Sequence, residues 1–486
     1  MVLIKMNNSR LIQAIHNHAL KTPHSVAVID DHELLDYHHL YRRIIDVAKS
    51  IECFKGQCLA INMENSINWV VTDLACIYAG VVSLPIPPFF RQEQILHALT
   101  QSNAAGIITA TGFIEPIHPS PSHRSYIPTG TAKITYTSGS TDQAKGVCLS
   151  LQHMEQVASS LLEVIGKSAA AHTVAVLPLG VLLENIAGCY TTLMAGGCYH
   201  VPSQQTLGFS HEATPIISLL LDYLTSHRAT SCILVPELLK AILHEQHQRP
   251  YNLSSLEFIA VGGAKVASQL IAQAEALQLP VYQGYGLSEC ASVVAVNTPA
   301  HVNNHSVGHI LPHIHLSIAP DGEIVIHDHL FLGYLTPSSE KEIELSPSYK
   351  TGDLGYLDSD GYLYITGRKK NILITSFARN ISPEWPESLL LGQPEISQCL
   401  VVGDSQSYLA ALIVPSYPSI TEKQIALAIE HCNQQLPSYA HLLYWQVVPP
   451  FTPHNKLLTG TGRVKRHAIQ THYHALITQM YERSLS

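Results

Sequence analysis

Residues 134–146 of the chain, ITYTSGSTDQAKG, combine side chains suited to gripping phosphate. An apolar, β-prone lead-in (Ala132, Ile134, Tyr136) runs into Thr137, Ser138, Gly139, Ser140 and Thr141, and Lys145 follows. Glycine lets a backbone approach a ligand closely. The hydroxyls and neighbouring N–H groups can donate to anionic oxygens, and the lysine adds a point charge. The order G-x-x-x-x-G-K-[ST] of a Walker A loop is missing. The same composition also suits a Ser/Gly surface linker, so taken alone the segment leaves both readings open.

The elements around it decide what such a loop could serve. At 486 residues the chain is long enough for two or more domains. Apolar residues make up 46% and charged residues 13%, which fits a folded globular protein. A net charge of −9 without long charged runs gives no electrostatic case for nucleic acid. The ten cysteines are scattered, with no C-x-x-C pair, and most lie in apolar runs. Reduced, buried thiols in a cytoplasmic protein are the economical reading. The N-terminus lacks a signal-peptide pattern. The longest apolar stretches are interrupted by Asp73, Pro178, Glu184 and Asn185, so no transmembrane segment is expected.

Helical periodicity is expected at 10–21, 41–51, 69–79, 92–102, 152–165, 183–195, 216–227, 237–247 and 265–277. Strand-like runs fall between them, at 26–30, 58–63, 81–86, 105–109, 173–177, 198–201, 231–235, 258–261 and 281–284. Residues 113–127, rich in Pro, Ser and His, read as a loop. Strands alternating with helices predict α/β architecture with parallel-rich sheets. From about Ile310 short strands with turns take over, Asp321-Gly322 being a hairpin signal. A smaller mixed segment fills residues 370–486.

Against this background five motifs occur in an order that resembles the adenylate-forming acyl ligases (acyl-CoA synthetases and acyl-AMP ligases). They are the loop Thr137–Gly146, then Tyr285-Gly286-Leu287-Ser288-Glu289, and Tyr349-Lys350-Thr351-Gly352-Asp353. Gly367-Arg368-Lys369-Lys370-Asn371 and the closing stretch 458–466 (LTGTGRVKR) follow. The resemblance covers nearly the whole chain. It implies a large N-terminal α/β domain over 1–367 and a small mobile α+β domain over 368–486, hinged at Lys369 and Lys370. It implies that a carboxylic acid attacks ATP to give an acyl-adenylate and pyrophosphate. The acyl group would then pass to coenzyme A or a carrier-protein phosphopantetheine, with an acyl carrier protein as a further partner.

The residue types suit those tasks. Glu289 is a hard oxygen ligand for Mg²⁺, and Ser288 can donate to the α-phosphate. Asp353, acceptor-only when ionised, suits the two hydroxyls of a ribose. Arg368 can donate in a fork to ribose or phosphate oxygens. Gly262-Gly263-Ala264 and Tyr285 resemble the family's adenine slot, and the resemblance places Gly286 among the ATP- or AMP-binding residues. Residues 177–188 (LPLGVLLENIAG) are similar to long-chain fatty acyl members, which implies an apolar acid.

Several departures qualify the resemblance. Asp142 and Ala144 replace a loop glycine and proline, and Val181 stands where many relatives have histidine. Phe377-Ala378 replaces a glycine-containing turn. Arg463 occupies the place of the family's catalytic lysine. Arginine is planar and reaches differently, so Lys465, on the same side of an extended segment, or Lys456 could substitute. A catalytically impaired protein that keeps the fold and binds acyl or nucleotide ligands, or a ligase with an amine acceptor, stays open. His301, His305, His309 and His313 repeat every four residues, but Gly308 and Pro312 interrupt any helix, so no zinc site is expected there.

Overall fold

A computed structural model describes residues 9–112, 114–117, 125–137, 145–209, 215–328, 330–337, 347–459 and 462–482, with Thr137 and Pro337 as backbone only. The fold is α/β. A nine-stranded sheet runs through Phe258–Val261, Ser231–Leu234, His172–Val174, Cys198–His200 and Val26–Ile29, all parallel, with Val281–Tyr285 parallel beside Phe258–Val261. A seven-stranded sheet is built on Cys58–Ile61, Val82–Pro85, Thr131–Thr137 and Lys145–Ser150. Strands such as Cys58–Ile61 and Ser231–Leu234 are buried along their whole length. That is why they read as unbroken apolar runs rather than as alternating patterns. A shared apolar core spans the helices and both sheets, from Leu11 and Trp69 to Ile326 and Leu363.

Local chemistry sets the helix ends. Helix Arg10–Lys21 starts where the Ser9 hydroxyl accepts from Ile12 N. The helix expected at 41–51 begins earlier, at Tyr37, because Asp36 caps it through His39 N. The helix expected at 265–277 begins only at Ser268, leaving 263–267 as loop. The stretch 183–195 is not one α-helix: Glu184–Tyr190 forms a π-helical turn that continues as α-helix Thr191–Ala195. This wide turn aims polar groups inward. Glu184 accepts from Leu177 N and the Tyr199 hydroxyl. Asn185 and Tyr190 donate to Asp73, which also pairs with the buried Lys133 at 2.6 Å. The stretch expected as loop at 113–127 contains short strands at Ile114–Pro116 and Ser125–Tyr126.

An antiparallel sheet, His315–Ile318, Glu323–His327, Ser348–Leu357 and Leu363–Arg368, follows, with Asp321-Gly322 at its first turn. Beyond Arg368 a three-stranded sheet (Ile396–Val402, Leu409–Pro415, Leu442–Val447) packs with helices Glu384–Leu391, Glu422–Asn433 and Arg466–His472. Its apolar clusters draw only on residues from Leu373 onward, separate from the N-terminal cores. Among the described residues no helix is long and apolar enough to cross a membrane.

Candidate active site

The ends of two neighbouring strands, Phe258–Val261 and Val281–Tyr285, bring Gly262, Gly263 and Ala264 beside Tyr285. Gly263 has φ +86°, a backbone state that costs glycine nothing. At Gly286 any Cβ would run into the Ser292 carbonyl oxygen, so the chain can pass there only without a side chain.

Tyr285 donates its hydroxyl to Asp353 Oδ2 at 2.8 Å, and Arg368 Nε donates to Oδ1 at 2.7 Å. Asp353 is 3% exposed, so its carboxylate ties a strand end of the large sheet to the 348–368 hairpin. Burial and this adjoining carboxylate push the Tyr285 pKa up, keeping the phenol a donor. A carboxylate has about four lone-pair sites, so two remain for further donors.

Ser288 and Glu289 lie in a short 3-10 turn, Ser288–Cys290, just after Tyr285. The Tyr334 hydroxyl donates to Glu289 Oε1 at 2.7 Å and lies 3.1 Å from the Tyr349 hydroxyl. Burial first, then the Tyr349 and Glu289 contacts, raise the Tyr334 pKa. Lys145 Nζ sits over the Tyr334 ring, 5.2 Å from its centroid. The single carboxylate of Glu289, oriented by the Tyr334 hydroxyl, fits Mg²⁺, which takes few protein carboxylates beside phosphate oxygens. Ser138, Gly139, Ser140, Thr141, Asp142 and Ala144 lie outside the described residues. The strands on either side of them are paired, Thr137 opposite Lys145.

The closing stretch carries two candidate cations, Arg463 and Lys465. Arg463 lies in a tight turn closed by Thr459 N on Arg463 O, and its guanidinium reaches within 3.8 Å of the Cβ position at Gly263. Arg463 is exposed overall, yet nearby protein and then repulsion from Arg368 lower its pKa, while Asp353 and Glu237 oppose the shift. Lys465 follows Val464, which pairs with Leu458 in an isolated antiparallel bridge. It immediately precedes helix Arg466–His472, its N–H donates to Leu457 O, and its side chain is exposed.

Lys369 and Lys370 occupy a 3-10 turn after strand Leu363–Arg368. Lys369 pairs with Asp321 at 2.6 Å and Glu323 at 2.9 Å. Lys370 is held below the usual lysine range by burial and then by Arg368. Together with Thr351, Gly352 and Arg368 they line a recess of about 300 Å³. A larger recess of about 450 Å³, between Val402 and Glu482, is lined by none of the site residues.

Phe377 is exposed, and Ala378 takes φ +55°. Alanine thus keeps a left-handed turn that glycine would hold without strain. The four histidines at 301–313 do not converge: His301 stacks on His309, and His313 Nδ1 bonds Ser160.

Sequence reading missed Tyr334 and Lys240, and named Tyr349 only as part of its motif. Tyr334 reaches Glu289 only because its strand pairs with Lys145–Ser150, and no spacing in the sequence signals that. Lys240 Nζ donates to the carbonyls of Leu391, Gln393 and Ile396, 2.6–3.0 Å away, at the end of helix Glu384–Leu391.

The family model described as AMP-binding enzyme matches residues 15–129 and 118–335, and its C-terminal-domain model matches 370–485. The chain is 23% identical to the long-chain-fatty-acid–CoA ligase FadD15 of Mycobacterium bovis, over 88% of each chain. It is 26% identical to a 2-succinylbenzoate–CoA ligase of Bacillus velezensis, over 79% of this chain and 82% of that one. A solved anthranilate CoA ligase, AuaEII in complex with anthranoyl-AMP, superposes with a TM-score of 0.82 at 17% identity, over 96% of this chain and 98% of that one.

Proposed function

The chain belongs to the AMP-binding enzyme family, and from that premise we propose that it activates an apolar carboxylic acid with Mg·ATP. The product is an acyl-adenylate with release of pyrophosphate, and the acyl group then passes to a thiol, coenzyme A first. The observation that carries this reading is the meeting of Arg463 with the Gly263–Tyr285–Asp353–Arg368 constellation. A carboxylate oxygen must approach an α-phosphorus surrounded by anionic oxygens, so fixed positive charge at that point lowers the barrier. Asp353 would hold the ribose, Tyr285 and Gly263 the adenine, and Lys145 with residues 137–141 the phosphates. Glu289 would hold Mg²⁺, which when bound neutralises phosphate charge. Relatives named for a fatty acid, 2-succinylbenzoate and anthranilate share this fold or family. The apolar acid is therefore argued from residues 177–188.

The test is pyrophosphate release from Mg·ATP with fatty, aromatic and dicarboxylic acids, followed by thioester formation with coenzyme A or a phosphopantetheinylated carrier. Release driven by one apolar acid is expected. ATP binding without release for any acid would favour a binding protein that keeps the fold.

Lys369 and Lys370 would form the hinge over which residues beyond 368 re-dock for acyl transfer. Lys240 then acts as a latch for the arrangement seen here, since its ammonium serves three carbonyls across the two parts. Lys240→Met is expected to cost this arrangement roughly 1.5–3 kcal/mol. Single-turnover adenylation should slow about tenfold or more. Acyl transfer from preformed acyl-adenylate should not slow. Equal slowing of both half-reactions would rule out the latch.

A further inference from the structure

Away from the cleft, three side chains with metal-binding atoms meet on the nine-stranded sheet. His172 and Cys198 are cross-strand neighbours on the parallel strands His172–Val174 and Cys198–His200. His200 stands two residues beyond Cys198, hence on the same face of the sheet. One ligand-type atom from each, a ring nitrogen of either histidine and Cys198 Sγ, lies within 4.8 Å of the others.

The separation of His172 Nδ1 from His200 Nε2, 3.4 Å, distinguishes two interpretations. It is long for a nitrogen–nitrogen hydrogen bond. It matches the roughly 3.3 Å expected between two nitrogens each about 2.0 Å from a tetrahedral zinc. Cys198 and His200 are buried, at 5% and 2% exposure, and His200 Nδ1 has no hydrogen-bond partner. A buried imidazole with one nitrogen unpartnered and the other facing a second imidazole is poorly satisfied by protein alone. A cation on Nε2 would satisfy the nitrogen that faces His172, while Nδ1 keeps no hydrogen-bond partner.

The scaffold is already fixed. His172 N donates to Thr230 Oγ1 and its carbonyl accepts from Thr230 N, both at 2.8 Å. Because His172 is exposed, it leaves an entry path. The ring of His227 lies 5.4 Å from that of His200, oriented by contact of its Nδ1 with Tyr223 O.

We propose that His172 Nδ1, His200 Nε2 and Cys198 Sγ form a site for a borderline-soft divalent cation, Zn²⁺ foremost, with a fourth position open to solvent beside His172. Two imidazoles and a thiolate are not a set for Mg²⁺ or Ca²⁺, which take oxygen ligands. Binding forms the zinc–sulfur bond as the Cys198 thiol gives its proton to solvent. Through the register Thr173–Ser231–Phe258, the cluster is level with the starts of the strands whose far ends carry Gly263 and Tyr285. The cation is therefore a structural tie between two strands, separate from the adenylate cleft.

Metal-free full-length protein would be titrated with Zn²⁺ and, separately, with Co²⁺, following metal content and the visible spectrum. About one Zn²⁺ per chain is expected, together with a thiolate-to-cobalt charge-transfer band. Both should be lost in His172→Ala and Cys198→Ser and kept in His309→Ala, which disrupts the other histidine pair. His172→Ala alters an exposed side chain, so its ATP-induced thermal shift should match the parent and separate site loss from unfolding. No bound zinc in the parent, or undiminished zinc in His172→Ala and Cys198→Ser, would overturn the assignment.

Discussion

Arg463→Ala is expected to slow pyrophosphate release by about 10²–10³-fold, the usual cost of removing a preorganised group that stabilises transition-state charge. Lys465→Ala should stay within roughly twofold, because a well-solvated lysine contributes little. The contrast rests on geometry: both residues are exposed, but the Arg463 guanidinium reaches toward Gly263 with Arg368 and Asp353 nearby, and Lys465 caps the start of a helix. Single-turnover adenylation measures it. Arg463→Lys should recover part of the lost rate, since it restores the charge without the planar fork. If Lys465→Ala is the dead variant and Arg463→Ala turns over normally, the cation has been wrongly assigned.

Glu289→Gln should be as damaging, with adenylation reduced by about 10³-fold or more if the carboxylate holds Mg²⁺ against the phosphates. Glutamine keeps the volume and leaves Tyr334 an acceptor for its 2.7 Å hydrogen bond, so the fold should survive. A melting temperature within about 3 °C of the parent would confirm that. Raising Mg²⁺ should restore part of the rate, a signature that a purely structural role would not give. Tyr334→Phe removes only the hydroxyl orienting Glu289, and about a tenfold loss is expected there. Normal turnover in Glu289→Gln would remove Glu289 from the metal's coordination.

The strands were readable because burial on both faces left apolar runs such as Cys58–Ile61, bounded by the polar Gln57 and Asn62. Helix starts were less legible. A cap such as Asp36 competes with other candidates in the sequence, and the choice is made by what packs against it. The π-helical turn at Glu184–Tyr190 had no local signature. It depends on Asp73, Lys133 and Tyr199, which are distant in sequence and gather only in the core.

The sequence by itself determined the α/β class and which residue types could meet a nucleotide, because motif chemistry and periodicity are local properties of the chain. Only the tertiary structure decided that the Arg463 guanidinium comes close to Gly263, since residues 200 positions apart meet only through the fold. It also decided where histidines gather. The evenly spaced set at 301–313 splits, His301 stacking on His309 and His313 turning to Ser160, while His172, Cys198 and His200 come together because parallel strand pairing brings residues 26 positions apart side by side.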